Sequence, residues 1–244
     1  MSSTSTAVRV VTTAPKTGFE QYGARWLSGL DHWPNAEFYW YTEGYEVAQV
    51  TQRPINDLTD FAQWKLKHAR YVSPSWKYDF VAYAHKVFAF IDATKDYKGI
   101  AVWLDADCIT YRDIPEGLIE SKVKDAYIAH YERPGRWTET GMFIVDCGHP
   151  EHHAFWDFIR DVYLNDRFKG LHHWTDCYIL DAAIKRFKDA GKIKTVSLSE
   201  DKSDAGHPMA VTEFGRYIDH TKGEDRKALG RSLENKFRTE YEAV

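Results

Sequence analysis

Apolar residues along this chain fall into short continuous runs and into helical spacings. The clearest run is Ile100–Leu104, which follows the turn-forming residues 96–99 and contains no polar side chain. An unbroken apolar run of this kind is typical of a strand that is buried on both faces of a sheet. We therefore expect the rest of the fold to be arranged around this strand.

Predicted strands and helices alternate from the first residues onward. Apolar runs predict strands over residues 8–13, 38–42, 126–130, 142–145 and 194–198, with a short further strand over 46–51. Helical spacing predicts helices over residues 18–33, 57–69, 78–94, 155–163 and 175–190. Thr175 suits the N-cap of the last helix and Gly191 its C-cap. The opening order of strand, helix and strand predicts an α/β fold with a parallel sheet.

Three stretches lack a regular pattern. Residues 112–124 form a polar link, residues 131–141 a loop, and residues 199–232 a tail without clear periodicity before a charged end. The chain contains no internal repeat, low-complexity tract or linker. We therefore predict a single domain over residues 1–244, in which residues 199–244 are a less regular C-terminal segment.

Composition narrows the class of protein. A hydrophobic content of 43%, a charged content of 28% and a net charge of -4 over 244 residues indicate a soluble globular protein, with no sign of nucleic-acid binding. Aromatic residues make up 15% of the chain and include nine Trp, which offer flat faces for sugar rings or bases. Much of this aromatic content must still be ordinary core.

Cysteine use and the N-terminal sequence bear on location. Cys108, Cys147 and Cys177 are widely spaced and form no zinc pattern, which favours a reduced cytoplasmic setting. The N-terminus has no basic segment followed by a long apolar run, and no apolar stretch approaches the length of a membrane span. The sequence therefore predicts a cytoplasmic protein without a transmembrane helix.

Two carboxylates follow the central strand directly. Asp105 and Asp107 lie at its carboxyl end, where open α/β sheets bind their ligands. Hard oxygen ligands at this spacing suit Mg²⁺ or Mn²⁺, and the usual partner of such a metal is a phosphate. The alternative is that these acids only end a turn or cap a helix.

A second group of polar residues lies in the C-terminal tail. One histidine and four cations occur close together in an otherwise slightly acidic chain: His220, Lys222, Arg226, Lys227 and Arg231. Gly223 and Gly230 lie among them and suit a close approach of the backbone to phosphate. A solvated basic surface is the simpler alternative.

Segments spread along the chain combine into one pattern. The more specific of them are WLDADCIT, with Asp105 and Asp107, and YIDHTKGEDRKALGRS, with His220; the weaker ones are the strand at 8–13, AHKVFAF, ETGMFIVD and WTDCYILD. Together they resemble the GT-A fold glycosyltransferases, most closely the family 8 type, over roughly residues 7–232. The resemblance implies a GT-A-like, Rossmann-like domain with a mixed, mostly parallel sheet that is flanked by helices.

The resemblance also assigns a metal site. Asp105 and Asp107 match the acidic pair that holds a divalent Mn²⁺ or Mg²⁺ ion, and His220 matches the late histidine that completes its ligands. Asp176 matches a catalytic acid near the donor sugar, but the family has Gln where this chain has Cys177. That departure weakens what the resemblance implies about stereochemistry.

Other positions match residues that contact the sugar nucleotide. They include the end of the first strand, a lysine of the helix before the central strand, and two residues of the tail: Thr12, Thr13, Lys86, Gly223 and Lys227, in addition to Asp105. The tail spacing, HTKGEDRK, is looser than that of the family. In this picture residues 199–244 close over the donor site. Glu139, Thr140 and Gly141 either line the acceptor side or merely form a turn.

The activity implied is that of a metal-dependent hexosyltransferase. A sugar would pass from a nucleotide-diphosphate sugar, with UDP as the expected nucleotide, to a hydroxyl of a glycan or small-molecule acceptor. Retention of configuration at the sugar is favoured. Such transfer needs a neutralised diphosphate and support for a cationic sugar ring, which the metal, the cations and a carboxylate would supply.

Three other functions fit parts of the pattern. A nucleotidyltransferase on a related sheet would bind metal and nucleotide in a similar way. A protein of the same fold that binds sugar nucleotides without turnover is a non-enzymatic alternative. A haloacid dehalogenase type phosphatase also places an Asp-x-Asp pair after an apolar strand, but there the motif normally opens the chain, whereas Asp105 follows about a hundred residues.

Overall fold

Strands form the frame of the molecule in the computed structural model, which describes residues 8–200 and 206–242. In chain order the strands are β1 (Val8–Thr13), β2 (Ala36–Thr42), β3 (Thr51–Pro54), β4 (Ile100–Leu104), β5 (Cys108–Thr110), β6 (Ile128–Tyr131), β7 (Glu139–Asp146), β8 (Thr195–Ser197) and β9 (Ile218–His220). Seven of them form one sheet in the order β3-β2-β1-β4-β7-β6-β8, and β5 pairs with β9 in a separate two-stranded sheet.

Strand β4 lies in the middle of the seven-stranded sheet, as its apolar run predicts. It runs parallel to β1 and antiparallel to β7. The other pairs are parallel except for the pair of β6 with β7. The prediction of a mixed, mostly parallel sheet is therefore confirmed.

Helices cover both faces of the sheet. Their bounds are α1 (Lys16–Gly18), α2 (Ala24–Leu27), α3 (Thr59–Lys67), α4 (Phe80–Thr94), α5 (Leu118–Lys122), α6 (His152–Leu164), α7 (Asp176–Asp189), α8 (Pro208–Val211), α9 (Glu224–Leu229) and α10 (Lys236–Glu242). Buried residues of α3, α4, α6 and α7 form the core on one face, and those of α2, α5 and α8 form the core on the other. The sheet is thus the middle layer of three.

Aromatic side chains fill much of the core. Phe90 of α4, Trp103 of β4, Phe143 of β7 and Trp156 of α6 meet with ring centroids 4.7 to 6.5 Å apart. Offset and edge-on ring pairs of this kind add to the stabilisation from burial alone. Part of the high aromatic content is therefore core, as expected.

The N-terminal helix differs from its prediction. The single helix predicted over residues 18–33 is wrong, because α1 is followed by a π-helical turn over Phe19–Gly23, then α2, then a 3₁₀ turn over Leu30–His32. Gly29 breaks the helical path where the backbone passes β5, since a Cβ there would lie 2.6 Å from the carbonyl oxygen of Thr110.

The strand predicted over residues 46–51 is also misplaced. Strand β3 begins at Thr51, and its residues are mostly exposed because it lies at the edge of the sheet. Val47, which contributed to the apolar pattern, is instead 6% exposed and packs in the core beneath the loop before β3. The apolar character of Val47 therefore reflects burial in a loop and not a strand.

The stretches without periodicity contain short elements. Residues 112–124 include α5, and residues 199–232 include α8, β9 and α9, while α10 lies in the charged end. Elements of three to six residues are too short to show a hydrophobic period. Among the residues that the structure describes, the C-terminal segment therefore consists of short elements, and its closure over the donor site stays a prediction.

Caps and thiols follow the sequence closely. Thr175 is the N-cap of α7, and its hydroxyl accepts a hydrogen bond from the amide of Tyr178 at 3.4 Å. The prediction of Gly191 as the C-cap is wrong by one residue: the C-cap is Ala190, and Gly191 follows it with a φ of +67°, a conformation that favours glycine. The three cysteines are free. Among the described residues, no helix has both the length and the apolar content to cross a bilayer.

Candidate active site

The two acids of the central motif lie on a tight turn between β4 and β5. The amide of Asp105 donates to the carbonyl of Gly141 in β7 at 2.8 Å, and the amide of Cys108 donates to the carbonyl of Asp105 at 2.9 Å. The turn is therefore tied both to itself and to the neighbouring strand. Asp105 and Asp107 are held at the carboxyl end of β4, where ligands of α/β sheets bind.

The two-stranded sheet brings His220 to this turn. In the β5–β9 pair, His220 is opposite Cys108. The amide and the hydroxyl of Thr221 donate to the carbonyl oxygen of Asp107 at 3.0 and 2.7 Å. As a result, Nε2 of His220 lies 3.3 Å from Oδ1 of Asp107, and the imidazole is 2% exposed. The late histidine and the acidic motif therefore lie side by side.

Lys86 reaches the same region from α4. Its ammonium nitrogen lies 2.8 Å from Oδ1 of Asp105 and 2.8 Å from Oδ2 of Asp176. It also donates to the carbonyl of Thr140 at 2.9 Å. With only 13% of its side chain exposed, this cation is stabilised by two carboxylates. The pKa of Lys86 is raised because these two negative charges outweigh the effect of its burial.

Asp176 lies at the start of α7 and faces the same lysine. Its Oδ2 accepts a hydrogen bond from the hydroxyl of Thr140 at 2.8 Å, in addition to the Lys86 contact. The side chain is 6% exposed. A helix N-terminus favours a carboxylate, yet the buried lysine and threonine show that Asp176 also belongs to a polar cluster beneath the sheet edge.

Trp103 is a site residue that sequence reasoning missed. Its indole Nε1 donates to Oδ1 of Asp105 at 2.6 Å, and its ring lies 5.3 Å from the ammonium of Lys86. Side chains two positions apart on a strand point to the same face. The spacing of Trp103 and Asp105 was therefore a usable signal for this contact.

The C-terminal segment supplies Lys227. Its ammonium lies 3.6 Å from Oδ2 of Asp107 and 5.2 Å from the ring centre of Tyr22. The guanidinium of Arg25 in α2 donates to the carbonyl of Lys227 at 2.9 Å, which fixes α9 against the N-terminal helix. Gly223 precedes α9 with a φ of +90°, a conformation that favours glycine.

On the other side of His220, the buried Glu139 forms an ion pair with Lys222, whose side chain is half exposed. Oε1 of Glu139 accepts from the ammonium of Lys222 at 3.2 Å and from the amide of Gly141 at 3.1 Å. Burial opposes its ionisation, but the positive charges of Lys222, His220 and Lys86 lower the pKa of Glu139 to about 2. Glu139 therefore lies within the candidate site rather than in a turn.

Thr12 and Thr13 end β1, the strand next to β4. Thr12 is fully buried, and the hydroxyl of Thr13 donates to the carbonyl of Tyr41 at 2.8 Å. Both hydroxyls are thus enclosed by the sheet or bonded to its backbone. The contact with a nucleotide that the sequence predicts for them stays a prediction.

The charges around Asp107 reinforce one another. Burial opposes its ionisation, but His220 and Lys227 outweigh that effect, so the pKa of Asp107 lies below its usual value. Burial lowers the pKa of His220, but Asp107 more than offsets it and the pKa is raised. Burial raises the pKa of Asp105, against the opposing charge of Lys86. A compact group of mixed charges results, with an anionic Asp107 at its centre.

The donor set near Asp107 fits a hard divalent ion. Ligand atoms of Asp107, Cys108 and His220 lie within 4.8 Å of one another. Nδ1 of His220 is buried and has no hydrogen-bond partner among the described residues. A Cβ at position 141 would lie 2.6 Å from that atom, so Gly141 keeps the space beside it open.

Carboxylate and imidazole suit Mn²⁺ or Mg²⁺, whereas Cys108 is a poor ligand here. Burial keeps the pKa of its thiol well above the usual value, so that the thiol stays protonated. Lys86 and Trp103 both contact Oδ1 of Asp105, and Oδ2 takes no part in those two contacts. The residues present therefore fit a metal ion held by Asp107 and His220, with Asp105 beside them.

Comparison with known proteins identifies the fold. No protein-family model matches the sequence, and no curated protein matches it. Among solved structures, the bifunctional glycosyltransferase WbbM superposes with a TM-score of 0.56 and 13% identity over 99% of this chain and 52% of its own. A glycosyltransferase involved in glycosylation of the major capsid of PBCV-1 superposes with a TM-score of 0.52 and 8% identity over 92% of this chain and 100% of its own.

These similarities establish the architecture. At such low identity they show a shared fold, and this chain spans about half the length of WbbM. The mixed sheet flanked by helices is that of the GT-A fold, as the sequence resemblance implies. What the site does with this fold depends on its own residues.

Proposed function

We propose that this protein is a metal-dependent glycosyltransferase of the family 8 type. It moves a sugar from a nucleotide-diphosphate sugar, preferably a UDP-sugar, to a hydroxyl of a glycan or small-molecule acceptor. One observation carries the proposal: Asp107, His220 and Lys227 converge at the carboxyl end of β4 in a GT-A fold. An anionic ligand atom, an imidazole and a lysine ammonium are what a metal-bound diphosphate requires.

The first task of the site is to neutralise the leaving diphosphate. Asp107 and His220, with Asp105, would hold Mn²⁺ or Mg²⁺, which when bound supplies Lewis acidity to the phosphate oxygens. Lys227 already lies beside Asp107 and adds a positive charge at the same place. Gly223, at the start of α9, lets the backbone approach the phosphates closely. We assign the segment from β9 through α10 to closing the donor site.

The second task is to support positive charge on the sugar ring. Asp176 is the carboxylate we assign to this role, since charge of the opposite sign stabilises an oxocarbenium-like state. Lys86 and Thr140 both bond to Oδ2 of Asp176 and so fix its orientation. A preorganised carboxylate requires little rearrangement during the reaction. We propose transfer with retention of configuration.

The proposal is tested by metal-dependent release of nucleoside diphosphate from a panel of sugar nucleotides, with and without acceptors. Release that requires Mn²⁺ or Mg²⁺ and increases with an acceptor supports glycosyl transfer. A thermal-shift screen with the same compounds identifies the donor, because a ligand that binds only the folded state raises the melting temperature.

Other results would overturn the proposal. Formation of pyrophosphate from a nucleoside triphosphate and a sugar phosphate would identify a nucleotidyltransferase. A sugar nucleotide that raises the melting temperature but is never consumed, even with a range of acceptors, would identify a binding protein. Lys227→Ala provides an internal check, since it should raise the donor KM, whereas Lys98→Ala, an exposed lysine before β4, should not.

A further inference from the structure

Three exposed apolar side chains lie close together in the sequence, at the end of α3 and in the connection from α3 to α4. Leu66, Val72 and Trp76 are 75%, 85% and 61% exposed. They lie within residues 61–78, which we call the basic-apolar segment. Large apolar side chains grouped on a surface mark interaction sites more often than isolated ones do.

The basic-apolar segment is also positively charged. It contains Lys65, Lys67, Arg70 and Lys77 and no acidic residue, in a chain whose net charge is -4. Lys65 is paired with Glu43, and Lys67 lies 2.9 Å from Asp166. Arg70 and Lys77 are both exposed, and neither makes an ion pair with any residue that the structure describes. Two exposed, uncompensated cations therefore stand beside the apolar side chains.

The position of the segment relates it to the candidate active site. The amide of Trp174 donates to the carbonyl of Lys77 at 3.0 Å, and the ring of His173 lies 6.5 Å from that of Trp76. Trp174 is followed by the cap of α7 and by Asp176. The segment also leads into α4, which carries Lys86. It therefore lies at the same edge of the sheet as the site.

We propose that the basic-apolar segment docks the protein on the surface of an anionic lipid bilayer. Trp76, Val72 and Leu66 enter the interfacial region, while Arg70 and Lys77 contact lipid phosphates. Tryptophan favours this region, and basic side chains near an anionic bilayer add to binding by apolar insertion. A soluble acidic polymer would use the cations but would leave the apolar side chains without a role. The proposal is independent of the proposed transfer reaction.

Vesicle flotation tests the docking directly. The full chain is mixed with phosphatidylcholine vesicles that either contain or lack phosphatidylglycerol, at low and at high salt. We expect binding to the anionic vesicles that weakens as salt rises, because exposed charges are screened. Equal binding to both vesicle types, or binding to neither, would refute the proposal.

Charge variants locate the cations that matter. The double variant Arg70→Gln with Lys77→Gln should weaken partitioning about 25-fold, since each basic residue near an anionic surface contributes about fivefold. The matched control is Lys98→Gln with Lys124→Gln, which makes the same change in net charge. These exposed lysines precede β4 and β6, at the opposite edge of the sheet. The control should change partitioning less than about twofold.

Variants of the apolar residues distinguish insertion into the bilayer from purely electrostatic attraction to anionic lipids. The triple variant Leu66→Ser, Val72→Ser and Trp76→Ser should weaken partitioning at least about tenfold, because it removes the apolar contact. Leu66→Ser alone is compared with Leu233→Ser, a residue of similar exposure at 72%, which should have no effect. If the triple variant binds vesicles as well as the wild type, binding is due only to attraction between the cations and the anionic lipids, and the proposal is overturned.

Two further readouts keep the test decisive. Light scattering without lipid detects a dimer. If the wild-type chain does not bind vesicles but forms a dimer that the triple variant dissociates, the surface binds a second copy of the chain and the docking proposal is wrong. Circular dichroism melts confirm that the variants fold. Release of nucleotide from soluble donors should be unchanged in every docking variant, so loss of vesicle binding is distinguishable from failure of the proposed function.

Discussion

Nε2 of His220, at the end of β9, lies 3.3 Å from Oδ1 of Asp107, which is in the turn just before β5. The contact depends on backbone pairing, because Thr221 bonds to the carbonyl of Asp107 through both its amide and its hydroxyl. The histidine is therefore positioned by the sheet and not by a flexible loop. This geometry makes the metal assignment testable residue by residue.

Asp107→Asn should abolish tight Mn²⁺ binding and reduce nucleoside diphosphate release about 100-fold or more, because a neutral amide neither balances the ion nor replaces a charged ligand. Calorimetric titration with Mn²⁺ alone and a turnover assay measure the two effects. Asp96→Asn, in the exposed turn before β4, is the matched control and should behave as wild type. Wild-type Mn²⁺ affinity in Asp107→Asn would remove this residue from the ligand set.

His220→Asn should weaken Mn²⁺ binding about 10-fold or more, since it removes an imidazole nitrogen next to Asp107. His207 provides the control, because its ring is buried 5.1 Å from that of His220 and its Nε2 faces the hydroxyl of Ser232 at 3.3 Å. His207→Asn should leave the Mn²⁺ titration unchanged. If both variants bind Mn²⁺ like the wild type, histidine plays no part in holding the ion.

Lys86→Met should lower the free energy of unfolding by about 3–5 kcal/mol, because it leaves the buried carboxylate of Asp176 and the partly buried one of Asp105 without their shared cation. Adding Asp176→Asn should restore part of this loss, and the double-mutant cycle gives the coupling. Urea denaturation measures it. Lys169→Met, at a lysine that is 50% exposed, should cost less than about 1 kcal/mol. Additive effects of the Lys86 and Asp176 changes would contradict the shared network.

Asp176→Asn should lower kcat while donor affinity is retained, since the carboxylate is assigned to the transition state and not to the diphosphate. Steady-state kinetics with the donor found in the thermal-shift screen separate kcat from KM. Asp181→Asn on the same helix is the control: its carboxylate accepts from the amide of Thr138 at 3.0 Å. Full activity of Asp176→Asn would leave that residue only a structural role at the start of α7.

His130 makes stability depend on pH. The hydroxyl of Thr138 donates to the carbonyl of Tyr131 at 2.9 Å, so it accepts from Nδ1 of His130 at 2.7 Å. Nε2 is buried without a hydrogen-bond partner among the described residues, with the nearest carboxylate, that of Glu132, 4.0 Å away. Burial, with a smaller contribution from Lys188, lowers the pKa of His130 from 6.5 to about 4. The native state thus holds a neutral imidazole.

Because the unfolded chain takes up this proton more readily, stability should fall as the pH decreases from about 6.5 to about 4, by up to about 3 kcal/mol from this residue. His130→Asn keeps a donor toward Thr138 and should flatten the slope in that pH range. His153→Asn, at an exposed histidine of α6, should not. Urea melts across this range measure the slope, and an identical slope in His130→Asn would contradict the prediction.

Sequence reasoning succeeded where a local pattern carries the information. The apolar run of β4 and the two acids after it place a strand end and a polar turn without reference to the rest of the chain. Thr175 likewise marks the start of α7, because capping is a local interaction. It failed at residues 18–33 and at β9, where the path of the chain is decided by contacts with β5.

Hydrophobic periodicity and strand ends are properties of adjacent residues, so the α/β architecture and the location of Asp105 and Asp107 at a strand end follow from the amino-acid sequence. The contacts of Lys86 with both Asp105 and Asp176, and of His220 and Lys227 with Asp107, arise only in the folded molecule. These contacts join distant parts of the chain through sheet pairing and helix packing. No local pattern encodes such pairings, because the buried charges are stable only once all their partners are in place.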